Sequence, residues 1–219
     1  MNTRLRIARL VIIIAGLAAW FSSQALIGSK SAPTGSNGIG DAMLNWTAPA
    51  NAWLNAHSSP ANALLIASSL GIDALGIFVI GITIFGRTVR PFLGLIILFS
   101  LRQLCQSLIS LPPIEGMIWR DTGVPTLLVT YGVSNDLFFS GHTALAVFGT
   151  LELARLGKPP LVVLAILLGL FEVTAVIVLR AHYTMDVFAG AMTALFVGLI
   201  AEKIALPVDG WLGRFSSRA

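Results

Sequence analysis

Two histidines stand at the starts of apolar stretches, each in a setting that could do chemistry. In DLFFSGHTALAVFGTLELAR (136–155), His142 follows Ser140 and Gly141 and opens an apolar run. In LRAHYTMDVFAG (179–190), Asp186 follows His182 by four residues. On a helix that spacing puts carboxylate and imidazole on one face, one turn apart. An aspartate accepting from one ring nitrogen fixes the tautomer and leaves the other nitrogen free to attack. Ser140 and Gly141 offer a hydroxyl and a bare backbone that a phosphate can approach, and helix N-termini favour anions. Arg180, and Arg102 earlier in the chain, carry guanidinium forks that match phosphate oxygens. Two histidines, an aspartate and arginines at helix N-termini describe phosphoryl transfer through a phosphohistidine. The third histidine, His57, lies far from both and reads as a loop residue. With a single cysteine, Cys105, the chain offers no zinc-ligand cluster and no intrachain disulfide, so neither metal nor other cofactor is expected.

The elements that position these groups follow from composition. Of the 219 residues, 56% are hydrophobic and 11% charged. Ordinary globular chains carry about 25% charged residues, too many more for this chain to wrap a soluble core in a wet surface. Several apolar stretches approach the roughly 20 residues needed to cross a hydrocarbon core of about 30 Å. Backbone groups in lipid must be satisfied within the segment, so these stretches are expected to be helices. Strand-length alternation is lacking, which excludes a barrel. The net charge of +4 sits in short clusters between apolar segments, so nucleic acid is not expected as a partner.

The pattern predicts an all-α polytopic membrane protein with six spans, near 8–27, 61–85, 91–111, 137–156, 160–179 and 183–205, as one integral membrane domain over 1–219. The links at 86–90 and 157–159 are short, and those at 28–60 and 112–136 are long. Within the first long link, DAMLNWTAPANAWLNAH reads as a short interfacial helix with tryptophans at headgroup level. Arg4, Arg6, Arg9, Arg87, Arg90, Arg155, Lys158, Lys203, Arg214 and Arg218 fall on one side of this topology, and only Lys30, Arg120 and Arg180 on the other. Positive charge marks the cytoplasmic side, which puts both termini there. Both histidines then arrive at the outer surface, an agreement the charge count did not impose. Compactness points to a bacterial inner membrane with a periplasmic site. The first 25 residues could serve as a signal peptide, but a retained first helix is the expectation.

SGHT followed by HYTMD resembles the two signature segments of the sphingomyelin synthase-like branch of the type 2 phosphatidic acid phosphatase superfamily. LRQLCQSLISLPPIEGMIW (101–119) resembles that branch's arginine and L-P-x-P segment. Together with FFSGH, it is also similar to the plant phosphatidylcholine:diacylglycerol cholinephosphotransferases. The likeness spans about 90–201, the expected catalytic core. It implies a type 2 phosphatidic acid phosphatase-like helical core, with His182 as nucleophile and Asp186 orienting it. His142 would be the acid that protonates the leaving oxygen and then the base toward the acceptor. Arg102, Arg180, Ser140 and Gly141 would hold the phosphate, with Asp136 at the acidic position before the first segment. The phosphatase branch's own lysine and second arginine are replaced here by Thr83 and Val176, which argues against a phosphatidate phosphatase.

Expected substrates are a phospholipid donor carrying phosphocholine or phosphoethanolamine and an acceptor that is a lipid hydroxyl or water. Water as acceptor gives a phospholipase C-type hydrolase or lipid phosphate phosphatase, and a scaffold or transporter is the non-enzyme alternative. Oligomeric state is left open. Asp73 and Glu172 lie inside spans, where carboxylates default to function; either could pair with Arg102, or Glu172 could support the site. Trp119, Phe138, Phe139 and Tyr183 gather near the outer rim, as an aromatic belt or as a cage for a quaternary ammonium.

Overall fold

The computed structural model describes residues 11, 13–19, 21–22, 25–26, 38–129, 131 and 137–216. The chain forms two compact units, 1–40 and 41–219. In the first, the described residues between 11 and 26 are helical and exposed, in keeping with an apolar first helix. The second unit carries seven helices among its described residues: α1 (Ala42–Trp46), α2 (Ala48–Ala56), α3 (Ser58–Phe85), α4 (Arg90–Leu108), α5 (Gly141–Ala154), α6 (Pro159–Val178) and α7 (Thr184–Ser216).

Four of these, α3, α4, α6 and Thr184–Trp211 of α7, are long and apolar enough to cross a membrane. The fourth expected span, 137–156, is a shorter element. α5 has 14 residues, or about 21 Å at 1.5 Å per residue, less than a core of about 30 Å. Ser140 stops it at one end by accepting from the Thr143 amide, and a turn at Gly157 (φ 65°) with Pro159 beyond ends the other. A helix this short is tolerable because its neighbours enclose it. α5 packs against α3, α4, α6 and α7, and Leu145, Ala146 and Phe148 are fully buried.

The interfacial helix expected in the first long link is two helices. Asp41 caps α1, Thr47 separates the pair, and Pro49 sits in the first turn of α2, where its missing N–H costs nothing. Leu44 and Leu54 turn inward while Trp46 and Trp53 are exposed, the disposition of an element lying on a headgroup layer. His57 closes α2, stacked on Trp53. α7 runs beyond the expected end at 205, through Pro207, to Ser216.

The end of the bundle away from the histidines holds the charged contacts. Glu152, 1% exposed, receives two N–H groups from Arg90, at 3.2 and 2.6 Å. Arg155 lies 3.8 Å from the same carboxylate and 2.8 Å from Glu202 of α7. Asp209 of α7 accepts from the Thr88 hydroxyl and the Val89 amide. These bonds fix the C-terminal end of α5 to the start of α4 and the far half of α7. Truncating one partner of a buried pair strands the other charge, so Glu152→Leu is expected to destabilise the fold by about 3 kcal/mol. Thermal unfolding in detergent would register the loss as a lowered midpoint.

Candidate active site

The histidine-bearing helices begin below the ends of their neighbours. A side chain on Gly141, the first residue of α5, would sit 3.0 Å from Arg102 Nε. Arg102 is six residues before the end of α4, about 9 Å along its axis. α5 therefore starts level with Arg102. An arginine that the sequence placed too deep in its span for easy reach of a phosphate is thus brought to the cavity wall. Its Nε donates to the Phe139 carbonyl at 2.9 Å.

His142, His182, Gly141 and Arg102 line one cavity of about 110 Å³. Trp119 and Met117 from the 109–140 segment join them, with Phe99, Ile72, Leu128 and Leu145 forming an apolar floor. Trp119 meets His142 edge-on, ring centroids 5.3 Å apart. His142 Nε2 is buried with no hydrogen-bond partner, so the cavity holds an imidazole nitrogen that no protein group uses.

Three bonds bring the two helix starts together. His182 Nδ1 lies 2.8 Å from the Leu137 carbonyl, the Ser140 amide donates to the Asp186 carbonyl at 3.0 Å, and Gly190 sits against the Ser140 carbonyl. A Cβ on Gly190 would come within 2.6 Å of that oxygen. Both atoms belong to backbone, so neither can swing aside. Gly190→Ala is expected to cost about 1–3 kcal/mol by overpacking and to reduce turnover by separating the histidines. Unfolding and activity measured on the same preparation check both.

The route from α6 to His182 is a tight helix stop. Arg180 has φ 55°, its amide donates to Ile177 and the Ala181 amide to Val176, the paired bonds of a Schellman ending. This turn sends His182 back toward the cavity.

The expected partnership of His182 and Asp186 differs in detail from the sequence reading. The direct acceptor beside Nδ1 is the Leu137 carbonyl, and the Asp186 carboxylate stands at 3.7 Å. Asp186 Oδ2 accepts the Tyr183 amide at 2.9 Å, as a third-position acid does in a capping box. Its Oδ1 is buried with no hydrogen-bond partner. The carboxylate is both a cap and a fixed negative charge one turn from the imidazole.

Other expected site residues lie elsewhere. Arg180 does not line the cavity: its Nη1 donates to the Glu115 carbonyl at 2.6 Å and its Nη2 reaches that of Leu44. It clamps α1 and the 109–140 segment, as does Asn51, which donates to the Gly116 and Val178 carbonyls. Ser140, fully buried, is the α5 cap, and Tyr183 donates its hydroxyl to the Pro112 carbonyl. Glu172 accepts from Ser68 at 2.6 Å, and Asp73 accepts the amides of Leu127 and Leu128, so neither carboxylate pairs with Arg102. Of the rim aromatics only Trp119 lines the cavity. Asp136 lies outside the described residues.

The sequence reading also missed a residue. Asp41 caps α1 and receives both the amide and the hydroxyl of Thr184 at 2.6 Å, joining the first outer helix to the start of α7. Its N-cap position was visible in DAMLNW; its second partner, 143 residues away, had no local signal. The consequence is that the Tyr183 and Thr184 amides are already taken by carboxylates, and the anion-binding capacity expected at the α7 N-terminus is spent internally.

A family model described as AtPDCT1/2, that of the phosphatidylcholine:diacylglycerol cholinephosphotransferases, matches residues 41–203. No curated protein and no solved structure matches the chain.

Proposed function

The chain belongs to the phosphatidylcholine:diacylglycerol cholinephosphotransferase family, and we propose that it moves a phospho-headgroup, phosphocholine or phosphoethanolamine, from a phospholipid to a lipid hydroxyl through a phosphohistidine. Membership implies a membrane lipid phosphotransferase. The observation that carries the mechanism is the single small cavity shared by His142, His182, Gly141 and Arg102. The kinship with the sphingomyelin synthase-like branch, and a type 2 phosphatidic acid phosphatase-like core, rest on SGHT and HYTMD alone.

With Nδ1 held as a donor to the Leu137 carbonyl, His182 keeps the Nε2 lone pair for phosphorus. As Nε2 bonds to phosphorus, the bond from phosphorus to the diacylglycerol oxygen breaks, and the proton on His142 Nε2 passes to that oxygen. The ring of His182 becomes cationic, and the nearby Asp186 carboxylate stabilises it. In the second half, His142 takes the proton of the acceptor hydroxyl, whose oxygen attacks phosphorus and releases His182. Arg102 neutralises the phosphate oxygens, which approach over the bare backbone of Gly141. A cavity of about 110 Å³ accommodates the phosphate end of the lipid, and the chains stay in the bilayer.

The six-span topology supplies the orientation. Arg87, Arg90 and Arg155 gather at the end of the bundle away from the histidines, where the positive-inside rule assigns cytoplasm, and the cavity opens on the outer side. The expected bacterial inner membrane gains no support from the match, because the family is a plant one.

Purified protein in mixed micelles with phosphatidylcholine or phosphatidylethanolamine, with and without diacylglycerol or ceramide, tests the proposal. A new headgroup-bearing lipid in mass spectra is the expected product. Water-soluble phospho-headgroup as the sole product would make the acceptor water, and no product from either donor would favour a scaffold or transporter.

A further inference from the structure

Beside the histidine cavity lies a second, more open recess of about 650 Å³, and the two share Trp119 and Val129 as a common wall. The recess is lined further by Tyr131, Arg120, Asp121 and the 123–126 turn. Trp119 and Tyr131 form an aromatic pair, ring centroids 5.0 Å apart and tilted by 49°. The Tyr131 hydroxyl is anchored 2.6 Å from Ser69 of α3, which fixes the ring. Burial foremost, with the charge of Asp121 adding to it, raises the Tyr131 hydroxyl above its ordinary value, so the Asp121 carboxylate is felt at the ring. Asp121 Oδ1 accepts the Gly123 amide at 2.8 Å, which orients the carboxylate in its turn. The one cation in the lining, Arg120, turns both donors onto Asn62 Oδ1, at 3.2 and 2.8 Å.

Aromatic faces beside a carboxylate are the chemistry that holds a quaternary ammonium, through cation–π attraction and charge. A phosphocholine puts such a group two carbons from its phosphate ester oxygen. With the phosphate between the histidines, the cationic end reaches the wall that Trp119 forms between the two cavities. We propose that Trp119, Tyr131 and Asp121 form the subsite for the quaternary ammonium of the donor headgroup, and so select choline lipids. The assignment rests on the phosphotransfer reading of the histidine cavity and extends it from a phosphate to a particular headgroup.

The test is a binding measurement that needs no turnover. Short-chain phosphatidylcholine, phosphatidylethanolamine and phosphatidic acid are titrated calorimetrically into the full-length protein carrying His182→Ala, alone and combined with Asp121→Asn, Asp121→Glu or Tyr131→Leu. Asp121→Asn is expected to weaken phosphatidylcholine binding about tenfold, with phosphatidic acid unchanged and Asp121→Glu restoring most of the loss. Tyr131→Leu is expected to weaken phosphatidylcholine several-fold more than phosphatidylethanolamine. Equal weakening of phosphatidylcholine and phosphatidic acid, or of neither, by Asp121→Asn would overturn the subsite. Equal loss of the choline and ethanolamine lipids in Tyr131→Leu would overturn its quaternary specificity. If the His182→Ala protein itself still transfers headgroups, the phosphotransfer reading fails instead, and the binding ratios still judge the subsite.

Discussion

His182→Ala is expected to abolish headgroup transfer, with a loss on the order of 10⁴-fold or more. The reason is covalent: without Nε2 no enzyme–phosphate bond forms, and direct attack by an acceptor would require two lipids in line within a cavity of about 110 Å³. The fold should survive, because the ring's one hydrogen bond, to the Leu137 carbonyl, is joined by the Ser140–Asp186 and Gly190–Ser140 contacts that tie the same two segments. The defining readout is the intermediate. Wild-type protein mixed with headgroup-labelled donor and quenched in alkali should carry label on residue 182, and the variant none. Label on residue 142 instead would exchange the roles of the two histidines.

His142→Gln is expected to lower turnover by about 10²–10⁴-fold, the usual contribution of a positioned acid or base. Here the substrate distinguishes chemistry from structure. An ordinary diacylglycerol oxygen leaves poorly without a proton, whereas p-nitrophenyl phosphocholine expels a stable phenolate. Formation of the phosphohistidine from that donor should be largely restored in the variant, while its transfer to an acceptor stays slow because the base is missing. A uniform loss with both donors would mean that His142 only shapes the cavity, through its edge contact with Trp119.

Composition made the membrane assignment legible, because charge density and apolar run length are properties of the chain that no packing can change. Helix type followed from the same cause, since lipid offers the backbone no other partner. The family was legible too, in SGHT, HYTMD and the 101–119 segment, and the match over 41–203 bears out its cholinephosphotransferase part. Span length at α5 was not. Hydropathy continues through 137–140, but Ser140 gives its side chain to the Thr143 amide and its own amide to Asp186, so the helix starts late. A window of apolar residues cannot tell a span from a short helix enclosed by four others.

Among the site residues, types and spacing singled out His142, His182 and Asp186, because a four-residue interval on a helix is a local fact. Tertiary structure decided what each touches. Every residue carries a carbonyl, so nothing in the letters marks that of Leu137 as the acceptor for His182, or those of Glu115 and Leu44 as the sinks for Arg180. Asp41 on Thr184 and Trp119 against His142 depend likewise on chain reversals that bring distant segments together. The sequence determined which groups are available for chemistry. Only the fold decided which remain facing the cavity once the backbone's own hydrogen bonds have been met, because a buried polar group goes first to whatever partner packing puts within reach.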